Sequence, residues 1–344
     1  MKQTYCYDDV LMEPKYSELT SRAQADLSSL LFCSNTENDN LTLPVISSPM
    51  DTVTEDEMAF MMTAYGGLGI IHRYNTIKEQ VSLVKKTKIR GSNNLGAAIG
   101  VTGDFLDRAT ALYDAGVDLL CVDIAHGYHI LMKKALAALR DIFGSDIHIM
   151  AGNVATLDAF EALADWGADS IRVGVGGGSL CSTRIVSGHG IPSLQSVLDV
   201  SRTTYETKII ADGGIRNTGD MVKALAMGAD FIMVGSMLSG TDQTPGQIFT
   251  NMKGESYKVF RGMASSDAQR DWRGKSSTPE GISTTVPYRG SVEEILKDIR
   301  GGLSSGLSYS GARNLSELRS KATFVLQSNA AQLESNTHIL WRDK

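Results

Sequence analysis

The segment Trp166-Gly-Ala-Asp-Ser-Ile-Arg-Val-Gly-Val-Gly-Gly-Gly-Ser-Leu-Cys-Ser-Thr183 combines three features of one structural unit. Trp166 ends a pattern of helical period, and the glycine after it is a typical helix stop. The run Ser170-Ile-Arg-Val-Gly174 is short and rich in β-branched residues, as expected of a buried strand. A glycine-rich stretch follows and leads to Cys181. The segment therefore predicts a helix, a parallel strand and a loop at the carboxyl end of that strand.

The same helix-to-strand joint recurs along the chain, as Ala115-Gly-Val-Asp, Trp166-Gly-Ala-Asp and Met227-Gly-Ala-Asp. Such repetition is expected where the same helix-to-strand connection occurs several times in one fold. Eight short apolar runs alternate with helical patterns, which is typical of a parallel sheet covered by helices. The runs are Pro44-Val-Ile-Ser-Ser, Leu68-Gly-Ile-Ile, Leu95-Gly-Ala-Ala-Ile, Leu119-Leu-Cys-Val-Asp, Ile147-His-Ile-Met-Ala, Ser170-Ile-Arg-Val-Gly, Lys208-Ile-Ile-Ala-Asp and Phe231-Ile-Met-Val-Gly. We therefore predict an α/β fold, the TIM (β/α)8 barrel.

An open, doubly wound sheet is the competing architecture. It normally carries Gly-x-Gly-x-x-Gly after its first strand, whereas Ser47-Ser-Pro-Met-Asp51 stands there. We favour the barrel, as a single catalytic domain over residues 1–344 with a C-terminal tail over 320–344. Residues 236–290, after the eighth strand, are polar and too long for an ordinary loop. They are either a disordered insertion or an active-site lid, and the motifs within them favour the lid.

The composition argues against several classes of function. The 344 residues are 42% hydrophobic and 21% charged, and the formal net charge of −6 offers no basic surface for nucleic acid. The chain lacks a membrane-spanning apolar run and a signal-peptide pattern, so we expect no membrane partner and a cytoplasmic location. The four cysteines, Cys6, Cys33, Cys121 and Cys181, form no Cys-x-x-Cys pair. This spacing predicts free thiols rather than a zinc site or disulfides.

Polar residues directly after the strands are the candidate functional residues, because the carboxyl ends of barrel strands meet at the active site. The stretches Gly174-Val-Gly-Gly-Gly-Ser179, Asp212-Gly-Gly-Ile-Arg216 and Val234-Gly-Ser-Met237 follow the last three strands. Glycine-rich loops can turn backbone amides toward a phosphate, and the Asp212 carboxylate can accept hydrogen bonds from ribose hydroxyls. Together these loops predict a site for a nucleoside monophosphate.

Cys181 lies where that nucleotide would bind, and it is the candidate nucleophile. Amides of its loop would favour the reactive thiolate, and Thr183 is near enough in sequence to relay a proton. Glu280 lies in Ser277-Thr-Pro-Glu-Gly-Ile282, where the Pro-Glu-Gly turn can aim its carboxylate inward. The alternative for Cys181 is a small buried hydrophobe, the interpretation we favour for the other three cysteines. The sequence thus predicts Cys181 as a nucleophile with Thr183 as its proton relay, while Glu280 is either an inward-facing carboxylate or an ordinary surface one.

The chain resembles the IMP dehydrogenase/GMP reductase family over nearly its whole length, from Tyr7-Asp-Asp-Val-Leu11 to Glu334-Ser-Asn-Thr-His338. The motifs that carry the resemblance are Met50-Asp-Thr-Val53, Met150-Ala-Gly-Asn-Val154, Gly176-Gly-Gly-Ser-Leu-Cys-Ser-Thr183, Ala211-Asp-Gly-Gly-Ile215, Val234-Gly-Ser-Met237, Arg261-Gly-Met263 and Pro279-Glu-Gly281. The resemblance implies a homo-oligomer, a tetramer, in which Cys181 attacks C2 of the purine in GMP or IMP. It also implies a nicotinamide cofactor that exchanges hydride with that carbon.

The resemblance further implies a role for each site residue. The residues that bind the purine nucleotide would be Ser48, Met50, Ser179, Asp212, Gly213, Gly214, Gly235, Ser236, Arg261, Gly262 and Met263. The cofactor would meet Asp123, Ala125, Asn153, Gly174, Ser265 and Ser266. Carbonyls of Gly176, Gly178 and Cys181 would bind a monovalent cation, K+. Phe260 stands where the family usually has tyrosine, so that one hydroxyl contact to the phosphate is missing.

The family that this chain resembles includes two enzymes, whose reactions differ in the steps that follow formation of the adduct. Dehydrogenases oxidise IMP to XMP with NAD and hydrolyse the adduct, whereas reductases release ammonia from GMP and form IMP with NADPH. The chain lacks the CBS modules that dehydrogenases usually insert after the second strand, since Ile71-His-Arg-Tyr-Asn-Thr-Ile77 runs on to the third strand. The lid also lacks the Arg-Tyr pair of the dehydrogenases. Both absences favour a reductase, in which Thr183 and Glu280 protonate the departing amine.

Other features look more like a dehydrogenase. They include Ile124-Ala-His-Gly127, Arg184-Ile-Val-Ser-Gly188 and the C-terminal tail, and Arg270 could replace the missing flap arginine. We predict an NADPH-dependent GMP reductase. The alternatives are an IMP dehydrogenase without CBS modules, which would use NAD, and a non-catalytic barrel that binds purine nucleotides.

Overall fold

The computed structural model describes residues 2–32 and 40–335, so Cys33 and residues 336–344 of the tail lie outside it. Three short strands come first, β1 (Val10–Met12), β2 (Ser29–Leu30) and β3 (Asn40–Leu41). The barrel strands are β4 (Val45–Ser47), β5 (Leu68–Ile71), β6 (Leu95–Ile99), β7 (Leu119–Asp123), β8 (His148–Val154), β9 (Ser170–Val173), β10 (Lys208–Asp212) and β11 (Phe231–Val234). Consecutive strands pair in parallel, and β11 closes the barrel onto β4 with Ile232 opposite Val45. The predicted TIM barrel is confirmed.

Helices follow every barrel strand and cover its outside. In chain order they are α1 (Asp56–Ala64), α2 (Ile77–Ile89), α3 (Phe105–Asp114), α4 (Ile130–Phe143), α5 (Leu157–Asp165), α6 (Thr183–Ser187), α7 (Ser193–Val200), α8 (Thr218–Ala226), α9 (Ser266–Arg273), α10 (Val292–Tyr309), α11 (Leu315–Lys321) and α12 (Asn329–Glu334). Two short 3-10 helices, Tyr7–Asp9 and Arg22–Gln24, lie in the N-terminal segment. Among the described residues, no helix is long and apolar enough to cross a membrane.

Apolar side chains from most of the barrel strands fill the barrel. Ile70, Cys121 and Phe231 are fully buried in this inner cluster, which is separate from the larger layer between strands and helices. The antiparallel pair β2–β3 adds Leu41 to the same cluster, and neighbouring Phe32 packs edge-on against His148 with ring centroids 5.3 Å apart. The amino end of the barrel is therefore plugged, which leaves the carboxyl end for the site.

The recurring Gly-Val-Asp and Gly-Ala-Asp joints build a repeated contact at the amino end of the barrel. Each glycine ends its helix with positive φ, for example 102° at Gly167, a conformation that residues with a side chain rarely adopt. Each aspartate carboxylate accepts the backbone N–H of the neighbouring strand and pairs with a cation. The partners are Leu95 and Lys88 for Asp118, Ile149 and Arg140 for Asp169, and Ile209 and Arg319 for Asp230. We call these three contacts the aspartate ties.

The lid, residues 236–290, has regular structure of its own. It contains the antiparallel strands β12 (Phe249–Thr250), β13 (Ser256–Arg261) and β14 (Ser283–Pro287), and helix α9. This regular structure favours the lid over a disordered insertion. In the described part of the tail, β15 (Phe324–Leu326) pairs with β1.

One strand boundary differs from the prediction in a way that matters for the site. The fifth apolar run predicts a strand ending at Ala151, but β8 continues to Val154 through an irregular register between Gly152 and Val154. Asn153 therefore lies within the strand rather than after it. A polar residue at a strand end cannot be assigned to strand or loop from apolar patterning alone.

Candidate active site

The loops after β9 and β10 approach each other closely because glycines line the contact. Gly174 has φ 149°, and a Cβ there would overlap the carbonyl oxygen of Asp212. A Cβ on Gly213 would come within 3.0 Å of the Gly178 nitrogen. Since any side chain would separate these loops, the glycines allow the Cys181 loop to lie beside Asp212. The sequence predicts this convergence, and the structure shows its steric reason.

A first cavity of about 240 Å³ opens at the carboxyl end of the barrel. Its wall includes the candidate catalytic residues Cys181 and Glu280. It also includes the nucleotide-binding candidates Ser48, Met50, Ser179, Asp212, Gly213, Gly214, Gly235, Ser236, Gly262 and Met263. Loops that follow β4, β9, β10 and β11 thus meet around one space, together with residues of the lid.

Arg261 is the one nucleotide-binding candidate that does not line this cavity. Its Nε and one terminal nitrogen donate to Asp51 Oδ2 at 3.0 and 2.6 Å, and the other terminal nitrogen donates to Asp271 at 2.5 Å. The guanidinium therefore joins the loop after β4 to lid helix α9. The neighbouring residue, Phe260, is 4% exposed and does line the cavity.

A chain of hydrogen bonds links the candidate catalytic residues. The Cys181 thiol lies 3.1 Å from Thr183 Oγ1, and the Thr183 hydroxyl donates to Glu280 Oε2 at 2.7 Å. The lid is fixed to the Cys181 loop beside them, because Ser182 N donates to the Glu280 carbonyl at 2.9 Å and Ile282 N donates to the Leu180 carbonyl at 3.0 Å. A proton can therefore pass between sulfur and carboxylate through one hydroxyl.

A second cavity of about 400 Å³ adjoins the first and shares with it Ser48, Met50, Asp212, Met263 and Ala264. Three cofactor-binding candidates, Asp123, Ala125 and Asn153, line it. The other three do not line it in the structure. A ligand in the second cavity would lie directly beside a ligand in the first, as hydride exchange between them requires.

Gly174, Ser265 and Ser266 instead support the walls of the site. The Gly174 carbonyl accepts a hydrogen bond from Asn153 Nδ2 at 2.9 Å. Ser265 is 1% exposed, and its hydroxyl caps α9 by accepting from Ala268 N at 3.3 Å. Ser266 Oγ accepts from the hydroxyl of Ser276. Sequence position places these residues near the site, but only the side-chain directions reveal what they contact.

Charged groups line the second cavity, and one of them, Asp212, lines the first cavity as well. The buried guanidinium of Arg172 donates to Asp123 and lies 3.9 Å from Asp212 Oδ2, while Arg73 Nε lies 3.4 Å from Asp123. Burial opposes ionisation of Asp123, but the charges of Arg172 and Arg73 outweigh it and hold the pKa below its usual value.

Asp212 shows the opposite balance. Burial raises the pKa of its carboxyl, and neither Arg172 nor the Asn153 amide, which donates to Oδ2 at 2.8 Å, fully offsets that effect. A negative charge on Asp212 is therefore harder to sustain than one on Asp123. In addition, Arg172 Nε has no hydrogen-bond partner among the described residues although it is buried.

Sequence reasoning missed five polar side chains of the second cavity, namely those of Arg73, Tyr74, Arg172, Gln269 and Arg273. Arg172 carries a visible signal, since it is a charge inside an otherwise apolar strand. Arg73 and Tyr74 follow the second strand, so the strand-end rule points to them as well. No local sequence pattern indicates that Gln269 and Arg273 line the cavity, because the orientation of α9 depends on how the lid folds.

The proposed cation site has a simpler description. Gly178 and Cys181 belong to one turn, in which Cys181 N donates to the Gly178 carbonyl at 3.0 Å. Gly176 has φ 78°, and a Cβ on it would press on the Arg184 side chain. Within the described ranges, no cluster of three His, Cys, Asp or Glu side chains could hold a metal ion. Any cation here would therefore depend on carbonyl oxygens.

Fold and site together define a (β/α)8 barrel with an exposed thiol, Cys181, and two adjoining cavities at the carboxyl end. The family model of the IMP dehydrogenase / GMP reductase domain matches residues 4–338. Inosine-5'-monophosphate dehydrogenase of Nitrosopumilus maritimus is 33% identical, with 98% of each chain covered, and GMP reductase of Leishmania major is 31% identical, with 96% of each covered. The crystal structure of a GMP reductase variant from Trypanosoma brucei in complex with guanosine 5'-monophosphate superposes with a TM-score of 0.90 at 29% identity, covering 98% of both chains.

The chain belongs to the IMP dehydrogenase/GMP reductase family. Members of this family are oxidoreductases of purine metabolism that use a nicotinamide cofactor, which confirms the predicted enzyme class. The alignments with the N. maritimus dehydrogenase and the L. major reductase extend over 476 and 477 residues, more than the 344 of this chain. The dehydrogenase and the reductase both carry residues that this chain lacks. The absence of an insertion therefore does not show which of the two activities this chain has.

Proposed function

We propose that this protein is a GMP reductase, which converts GMP, NADPH and a proton to IMP, ammonia and NADP+. The observation that carries the proposal is the hydrogen-bonded chain from Cys181 through Thr183 to Glu280. Amine release requires a proton donor beside the carbon under attack, and a carboxyl group that reaches the thiol through a hydroxyl can supply it. The described lid presents no Arg-Tyr pair to either cavity, which agrees with deamination rather than hydrolysis.

The reaction begins with addition of the thiol to C2 of the purine. The Cys181 proton moves to Thr183 and on to Glu280 while the sulfur–carbon bond forms. The same chain then returns a proton to the amino group, which leaves as ammonia, so that the charge on Glu280 is restored. A bound nicotinamide cofactor supplies the hydride that takes the place of the amine. Cleavage of the sulfur–carbon bond finally regenerates the Cys181 thiolate, and proton uptake completes the cycle.

In this proposal the glycine-rich loops bind the nucleotide. Backbone amides at Gly214 and Gly235 and the hydroxyls of Ser179 and Ser236 would hold the phosphate, and Asp212 would accept hydrogen bonds from the ribose. All of these residues line the first cavity. Phe260 offers no hydroxyl at the place where tyrosine is usual, so the phosphate relies on the loop donors.

The second cavity would hold the nicotinamide cofactor. Asp123 and Asn153 lie in its wall, and Arg172 neutralises Asp123 there. Direct continuity with the first cavity supports this assignment. Binding of K+ by the carbonyls of Gly176, Gly178 and Cys181 and assembly as a tetramer are further parts of the proposal, and they rest on the likeness of the motifs. The cytoplasmic location stays a prediction.

IMP dehydrogenase is the second candidate, since relatives of both names match this chain at similar identity. A non-catalytic barrel has no support from the family assignment. In the decisive experiment, the purified protein is given GMP with NADPH, and separately IMP with NAD+, while nicotinamide absorbance and ammonia are followed. We expect NADPH oxidation with one ammonia released per NADPH. Oxidation of IMP by NAD+, without any reaction of GMP, would establish the second candidate instead.

A further inference from the structure

Arg273 is the unpaired cation of the second cavity. It is the last residue of α9, it is exposed, and its side chain lines the cavity. Within residues 2–32 and 40–335, no carboxylate lies within ion-pairing distance of it. The other two arginines of the cavity, Arg73 and Arg172, both pair with Asp123.

The charge balance of the cavity favours an anion. Three guanidinium groups face it, whereas Asp123 and Asp212 are the carboxylates in its wall. Asp123 and Asp212 together offset Arg73 and Arg172, so the unbalanced positive charge of the cavity lies at Arg273. A guanidinium can donate two parallel hydrogen bonds to the oxygens of a phosphate, and in a cleft this contact is stronger than on open surface.

The lid holds the end of α9, which carries Arg273, in place before any ligand binds. Gln269, 6% exposed, donates to the Ala264 carbonyl at 3.0 Å and accepts from Ser277 N at 2.8 Å. At the end of the helix, Trp272 stacks on Tyr74 with ring centroids 5.7 Å apart and planes 13° apart. Tyr74 OH donates to the Met263 carbonyl at 2.9 Å. Such prior fixing reduces the entropy lost when a ligand is bound.

We propose that Arg273 binds a phosphate group of the dinucleotide cofactor in the second cavity. This inference rests on the proposed function only in assigning a nicotinamide dinucleotide to that cavity. Two phosphates of the cofactor share the required chemistry. The pyrophosphate occurs in both NAD and NADP, whereas the 2'-phosphate of the adenosine ribose occurs in NADP alone.

The test compares Arg273→Gln with Arg270→Gln, which removes the same charge from the same helix. Arg270 is exposed and lines neither cavity, so its position does not support it as a replacement for the flap arginine and it can serve as the control. Binding of NADP+ and of NAD+ to the GMP-saturated protein is measured by titration calorimetry, which needs no turnover. We expect Arg273→Gln to weaken binding on the order of tenfold, the loss of one charge-assisted hydrogen-bonded contact. Arg270→Gln should change it less than about twofold.

The pattern across the two cofactors identifies the phosphate. Equal weakening of NADP+ and NAD+ assigns Arg273 to the pyrophosphate, and weakening of NADP+ alone assigns it to the 2'-phosphate. Arg273→Lys, which keeps the charge but not the paired donors, should recover part of the affinity. GMP affinity should equal that of the wild type, which shows that the variant is folded.

Failure of this inference and failure of the proposed function give different results. If Arg273→Gln binds both cofactors as Arg270→Gln does, the inference is overturned, whatever reaction the enzyme catalyses. If the wild type oxidises IMP with NAD+, the proposed function fails, and the titration is repeated with IMP-saturated protein and NADH, a pair that cannot react. Weakened NADH binding would then still support Arg273 as a pyrophosphate contact. A wild type that binds neither dinucleotide would overturn both.

Discussion

At the amino end of the barrel each tied carboxylate accepts from a backbone N–H and pairs closely with a cation, whereas at the carboxyl end Asp212 accepts from the Asn153 amide and lies 3.9 Å from Arg172. Asp169 accepts from Ile149 N at 2.7 Å and from Arg140 at 2.5 Å. Burial raises the pKa of Asp212, as it does for Asp118 among the ties, but at the carboxyl end the buried Arg172 Nε also has no hydrogen-bond partner among the described residues. Both ends of the barrel contain aspartate and arginine side chains. At the amino end the tied carboxylates are hydrogen-bonded and ion-paired, whereas at the carboxyl end a buried donor of Arg172 has no partner among the described residues.

This difference indicates where stability and function reside. Polar groups that are fully hydrogen-bonded contribute to stability, while buried groups left without partners destabilise the fold until a ligand meets them. We therefore expect substitutions at the carboxyl end to affect catalysis with little loss of stability, or even a gain. Substitutions in the aspartate ties should lower stability and leave catalysis nearly intact.

The largest effect is expected from Cys181→Ala. Loss of the thiol removes covalent catalysis, and turnover should fall by at least about four orders of magnitude. Nucleotide affinity and the unfolding temperature should hardly change, because Cys181 is an exposed loop residue. Steady-state kinetics, calorimetric titration with GMP and thermal unfolding measure the three quantities.

Cys6→Ala is the matched control for this variant, since Cys6 is a partly exposed thiol that lines neither cavity. It should keep wild-type turnover. Substantial turnover by Cys181→Ala would show that Cys181 is not the nucleophile. It would also contradict the assignment of catalysis to the carboxyl end of the barrel.

Glu280→Gln should lower turnover about a hundredfold, the usual size of a lost acid–base group. Glutamine can still accept the hydrogen bond from Thr183, but it cannot exchange a proton, so GMP affinity should remain. Glu255→Gln, at an exposed carboxylate of the same lid, should leave the rate unchanged. An equal rate for Glu280→Gln and wild type would show that the carboxyl group is not the proton donor.

Asp169→Ala should lower the free energy of unfolding by about 2 kcal/mol, because Ile149 N and Arg140 lose their acceptor. Turnover at moderate temperature should stay within about twofold of wild type, since the tie lies at the opposite end of the barrel. Denaturant unfolding gives the stability. Asp141→Ala, at an exposed carboxylate without an ion pair in the described structure, should cost under about 0.5 kcal/mol. An equal loss in the free energy of unfolding for the two variants would show that the aspartate ties do not contribute specially to stability.

The smallest effect is expected from Asp212→Asn, and its sign is the most informative. Folding raises the pKa of Asp212, so the unfolded chain loses this proton at lower pH than the folded protein does. The wild type therefore loses stability as pH rises from about 4, the ordinary carboxyl range, through the raised value. Asparagine avoids this loss and should stabilise the protein by about 1 kcal/mol at neutral pH.

Thermal unfolding of both proteins across the pH range tests this prediction. The two stabilities should converge in acid and separate as pH rises. A variant less stable than wild type at neutral pH would mean that Asp212 contributes to stability as the aspartate ties do, and the comparison between the two ends would break. Nucleotide affinity should fall in either case if Asp212 holds the ribose.

Much of the fold could be predicted because its signals are local. The eight apolar runs match β4 to β11 closely, and the Gly-Val-Asp and Gly-Ala-Asp joints predict helix ends from the conformational freedom of glycine. The first cavity was also predictable, because parallel strands bring every loop at their carboxyl ends to one place. The end of β8 was less predictable, since a register irregularity places Asn153 inside the strand.

The lid and the second cavity show the limit of such reasoning. Ser265 and Ser266 have the right position in sequence, yet their hydroxyls support the lid. Arg261 pairs with Asp51, which lies 210 positions away in the sequence, and no local sequence pattern predicts that contact. Contacts between distant segments depend on side-chain directions, which only the packed structure fixes.

By itself the sequence determined the barrel, the glycine-rich loops and the candidate Cys181, Thr183 and Glu280, because periodicity, turn chemistry and strand order act along the chain. Only the tertiary structure decided that a hydroxyl links Cys181 to Glu280, and that Arg172 is shared between Asp123 and Asp212. It also decided that Arg273 faces the second cavity without a partner among the described residues. Hydrogen bonds and charge balance depend on distances of a few ångströms between segments that are far apart in sequence, and folding alone sets those distances.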